Sequence, residues 1–156
     1  MTTWQRTAIA IALAAIAFGS DARAQSLQPS KRIMRVCSGF SAQMVDLATM
    51  SGGITDRDEH VGVIGMAGVA ELNNERCVSV HSLLFLYEQL SEGPDRARAG
   101  AYIAFRMEQY AGLKSDLEFA NKAIGQTKLP GVAREAQRLR DQLRAFADTV
   151  RALKPR

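Results

Sequence analysis

Residues 132–153 read VAREAQRLRDQLRAFADTVRAL. The apolar positions are Val132, Ala136, Leu139, Leu143, Phe146, Val150 and Leu153, separated alternately by four and three. That period puts all seven on one face of an α-helix. The flanking places hold Ala133, Glu135, Arg140, Gln142, Ala147 and Thr149. A self-paired coiled coil carries more opposite charges there, and alanine widens the apolar face instead. The stretch predicts a helix packed inside a bundle.

The rest of the chain follows the same pattern. Ile33, Cys37, Phe40, Met44 and Leu47 share one face of a helix expected from Lys31, with Ser30 as its cap. Ser51, Gly52 and Gly53 end it, with a left-handed glycine expected. Thr55 followed by Asp56, Asp58 and Glu59 predicts a second start. Gly62, Gly65 and Gly68 weaken the helix expected over residues 61–70, and Asn73-Asn74 predicts a break or a cap after it. Residues 77–90 (CVSVHSLLFLYEQL) are apolar nearly all round, which predicts a central, buried helix. Pro94 suits the first turn of a helix over residues 95–125, with Gly112 near its middle. Its expected buried stripe includes Ile103, Met107, Tyr110, Leu117 and Ile124. Arg138, Asp141, Arg144, Asp148 and Arg151 are spaced to pair along the last helix. No segment alternates as a strand does. The expected fold is all-α: one compact bundle of four to five antiparallel helices.

The first 24 residues have another character. Arg6 precedes an uncharged run over residues 7–18 (TAIAIALAAIAF), and Ala22-Arg23-Ala24 offers small residues to a signal peptidase. An uncharged run of twelve residues is too short to span a bilayer core ~30 Å thick. Residues 1–24 are therefore expected to be a cleavable secretory leader. One helical domain over residues 25–156 would remain, with a flexible lead-in at 25–29. The expected location is the periplasm, with secretion as the alternative. No membrane span is expected after cleavage. The remaining chain would carry 18 basic and 15 acidic residues and no tryptophan. Basic residues are not interleaved with aromatics, so no nucleic-acid surface is expected.

An exported chain with two cysteines predicts a disulfide, Cys37–Cys77. His81 lies one turn after Cys77, so the pair could act as nucleophile and base only with a free thiol. The export signal argues against that, and no catalytic residue is assigned. Asp56, Asp58, Glu59 and His60 are the one dense group of potential metal ligands. They lack the central glycine and distal glutamate of a calcium loop, and helix capping accounts for the acids, so no metal and no cofactor are expected. Gly62, Gly65 and Gly68 follow no strand and end in no Lys-Thr, unlike a phosphate cradle.

The expected function is non-catalytic: binding another envelope or secreted protein, as an inhibitor, immunity protein or chaperone does. The contact is expected at residues 55–70, where Asp56, Asp58, Glu59, His60, Gly62, Gly65 and Gly68 are least explained by folding. The alternative is a small-ligand carrier with a cavity lined by Met44, Met66, Phe85 and Met107. An enzyme using Cys77 and His81 ranks third.

Overall fold

A computed structural model describes residues 28–155. The expected leader and residues 25–27 of the lead-in lie outside the described residues. Five α-helices follow in order: α1 (Pro29–Ser51), α2 (Arg57–Gln89), α3 (Pro94–Ala111), α4 (Lys114–Gln126) and α5 (Pro130–Leu153). The chain is an all-α bundle closed by the Cys37–Cys77 disulfide, whose Cα atoms are 5.5 Å apart.

Every apolar position read from residues 132–153 is buried. Phe146 meets Phe40 of α1 edge to face, with ring centroids 6.0 Å apart. Cross-links fix α1 antiparallel to α5, since Gln43 Nε2 donates to the Glu135 carbonyl and Gln142 Nε2 to that of Gly39. The charges on α5 pair only partly as expected, since Arg151 meets Asp148 while Arg138 and Asp141 find other partners. Arg138 reaches Asp46 on α1 as well as Glu135, and Asp141 pairs with neighbouring Arg140.

The expected break at Asn73-Asn74 does not occur. Helix α2 runs unbroken for 33 residues, or ~50 Å at 1.5 Å per residue. Asparagine disfavours a helix because its side chain competes for backbone groups. Here that competition is met from inside the fold. Asn73 is fully buried, and its Nδ2 donates to the Val69 carbonyl and to Asp116 Oδ2.

The helix expected over residues 95–125 is two helices. Gly112 sits at φ −79°, ψ 71°, and the Leu113 N–H donates to the Ala111 carbonyl, which is an inverse γ-turn. Ala111 and Leu113 are both buried, so the turn folds inward. Gly93 at φ 150° admits the chain to α3, with Pro94 in its first turn.

Helix α1 also starts and stops differently. It begins at Pro29, so Ser30 lies inside it rather than capping it. The backbone N–H and hydroxyl of Ser30 both donate to the Glu88 carboxylate near the end of α2. Glu88 thereby serves the orphan donors that an uncapped helix start leaves. At the far end Gly52 is right-handed (φ −65°), so no left-handed glycine closes α1.

Candidate functional site

Asp56, not Thr55, caps α2: its Oδ1 accepts from the N–H groups of Asp58 and Glu59. Glu59 reaches the turn between α4 and α5. Its carboxylate accepts from the Thr127 hydroxyl and the Lys128 N–H. Those bonds hold its carboxyl below the ordinary value of 4.5, with Thr127 the larger cause and the Lys128 N–H the next. A depressed pKa in the folded state stabilises the fold above the unfolded value, and the gain is lost as pH falls through the folded value. Glu59→Gln is therefore expected to melt below the parent at pH 7. That gap should close as the pH drops below about 4. Thermal unfolding across pH checks it, and a gap that stays constant would assign the loss to shape alone.

His60 Nδ1 lies 3.1 Å from the Ser51 carbonyl and joins the start of α2 to the end of α1. Thus Asp56, Glu59 and His60 are each engaged within the fold. Among the described residues no group of three or more His, Cys, Asp or Glu is placed to hold a metal ion.

The three glycines separate. A Cβ on Gly65 would lie 2.7 Å from Phe119 Cζ, so its bare backbone seats an aromatic ring from α4. Gly62 and Gly68 have nothing within 4 Å of such an atom. Gly62 borders an open cleft of about 500 Å³, together with Asp56, Asp58, Glu59 and Met66. Ala123 and Gln126 of α4, Val132 of α5 and the turn residues Thr127 and Lys128 complete it. The structure brings four of the seven expected contact residues to this cleft. His60, Gly65 and Gly68 are not among its lining.

Above Gly65 a polar cluster fastens α4 to α2. Asp116 Oδ2 accepts from Asn73 Nδ2 and from Arg76 Nη1, and it is almost buried. Asp116→Ala leaves one buried Asn73 N–H without an acceptor, while Arg76 keeps its bond to Asn73 Oδ1. Orphaned buried donors cost about 1–3 kcal/mol. Urea unfolding of this variant is expected to show that loss with an unchanged slope.

Cys77 is bonded to Cys37, so the Cys77/His81 pair has no thiolate. The His81 ring stacks on Phe85, with centroids 6.3 Å apart. Of the residues expected to line a carrier cavity, Met66 and Met107 are wholly buried and Met44 partly so. Phe85 is on the outside, 49 % exposed.

That exposure belongs to a larger feature. Residues 77–90 are apolar nearly all round, yet α2 is not surrounded. Its inner face carries Val63, Met66, Ala70, Cys77, Val80 and Leu84. The opposite face is open: Val61 is 60 % exposed, Ile64 53 % and Leu86 62 %, and Leu72 and Val78 are also exposed. Gly68, Glu71, Glu75 and Ser82 are exposed on the same face. The face runs from Val61 to Leu86 over ~38 Å. All-round apolarity predicts burial, and here it marks an uncovered surface instead. The usable signal was in the neighbours. The other four helices are one-sided, and they must also pack on one another, so too few apolar faces remain to enclose α2.

Comparison with known proteins finds no family model, no curated relative and no solved structure that matches the chain.

Proposed function

We propose that this chain is exported through the leader at residues 1–24 and acts without catalysis, by binding another protein in the periplasm or outside the cell. The supporting observation is the uncovered apolar face of α2. Large apolar residues exposed singly are ordinary, but a contiguous row on one helix marks an interaction surface. The contact expected at residues 55–70 overlaps this face at Val61, Ile64 and Gly68, and the face extends it by more than four turns to Leu86. The disulfide suits an oxidising compartment. Inhibitors, immunity proteins and envelope chaperones all work by such contacts and need no cofactor.

A photo-cross-linking residue at Leu72, with one at Ala145 on an exposed part of α5 as control, tests the reading in the host. The expected result is a discrete protein adduct from position 72, none from 145, and loss of the adduct with Ile64→Asp. No adduct from position 72, with a small molecule retained in native mass spectrometry, would favour the carrier.

A further inference from the structure

Gly68 is the least explained residue on the exposed face of α2. A mid-helix glycine weakens its helix relative to alanine. At three other helical positions that cost has a packing reason, since Gly39 lies under Gln142, Gly65 under Phe119 and Gly100 under Tyr87, whereas Gly62 and Gly125 are open as Gly68 is. Nothing in the chain lies over Gly68. Ile64 and Leu72 flank it one turn away on either side, both exposed. A bare backbone between two apolar side chains is a place where a second helix can approach closely.

The charges on the face narrow what that helix is. Glu71 and Glu75 are exposed, one turn apart, and neither has an ion-pair partner among the described residues. No exposed basic residue lies on α2 between Val61 and Leu86, and Arg76 is turned to Asp116. A second copy fits badly. A parallel pair sets Glu75 against Glu75. An antiparallel pair crossing at Gly68 sets Glu75 against the copy's Val61 and offers neither carboxylate a basic residue between Val61 and Leu86. Like charges directly opposed cost affinity, and opposite ones give specificity.

We infer that the exposed face of α2 takes an amphipathic helix of another protein, with a small residue over Gly68 and Lys or Arg reaching Glu71 and Glu75. This rests on the protein-binding reading and names the chemistry of its partner. The contact is of the helix-against-helix kind, read as anchors three and four residues apart.

Three synthetic peptides of about seven helical turns test it against the disulfide-intact chain lacking its leader. They share a leucine stripe with alanine at the crossing point. They differ at the two places facing Glu71 and Glu75, which hold arginine, alanine or glutamate. Fluorescence anisotropy at low salt is expected to rank them arginine, alanine, glutamate, with at least ~10-fold between the extremes. The ranking should flatten in the Glu71→Gln/Glu75→Gln variant. Gly68→Leu should abolish binding with no fall in melting temperature. Absent binding, equal binding of the three peptides, or unchanged binding by Gly68→Leu overturns the inference. If the adduct from position 72 persists in the host, the protein-binding reading survives that result. Self-association of the chain that Leu72→Asp abolishes would also overturn it, in favour of a second copy.

Discussion

Replacing Cys37 and Cys77 together by alanine is expected to lower stability by about 4 kcal/mol. The bond closes a loop over a sequence separation of 40 residues, and closing such a loop restricts the unfolded chain by about that amount. Both cysteines are buried, so the cross-link lies in the core between α1 and α2. For a domain of this size the loss corresponds to a fall of order 10 °C in melting temperature. Reductant should lower the parent's melting temperature similarly and leave the alanine variant unmoved. Titration of the denatured, unreduced protein should find no free thiol. A double variant that melts within a degree or two of the parent would show that packing alone holds the α1–α2 pair.

The second large effect contrasts two faces. Phe146→Ala is expected to cost about 3–5 kcal/mol, the usual loss for a buried aromatic. Phe146 is wholly buried and touches Phe40 across the α1–α5 boundary, so its loss leaves a cavity beside another ring. Ile64→Ala and Leu86→Ala remove comparable apolar groups from α2, yet each is expected to stay within about 0.5 kcal/mol. Urea titration of the three variants separates the outcomes. A core-sized loss at Ile64 or Leu86 would mean that the outer face of α2 serves the fold and not a partner.

The sequence made some of this plain and hid the rest for physical reasons. Residues 132–153 repeat with helical period, so their buried face was legible. The two cysteines were legible as a pair because the leader expected over residues 1–24 implied an oxidising compartment. The continuity of α2 was not legible, because Asn73 finds its partner in Asp116, 43 residues away. The role of Glu88 at the start of α1 was not legible either, because its partner Ser30 lies 58 residues upstream. Gly112 was expected near the middle of one helix, but the burial of Ala111 and Leu113 on either side turns it into a corner. Of the expected contact residues, Asp56, Asp58, Glu59 and Gly62 meet at the cleft, because they lie at the start of α2 on the side that meets the turn between α4 and α5. The outer face was misread, since apolarity reports what a helix can bury and not what its neighbours are able to cover.

Helix α2 is fastened along its whole length. Glu59 ties its first turn to the α4–α5 corner, Asn73 and Cys77 hold its middle, and Glu88 ties its last turn to the start of α1. A molecule meeting its open side therefore meets a finished shape. Little ordering entropy is lost on the α2 side, and docking needs no rearrangement there. Substitutions along that side should accordingly alter how long a complex lasts far more than how fast it forms.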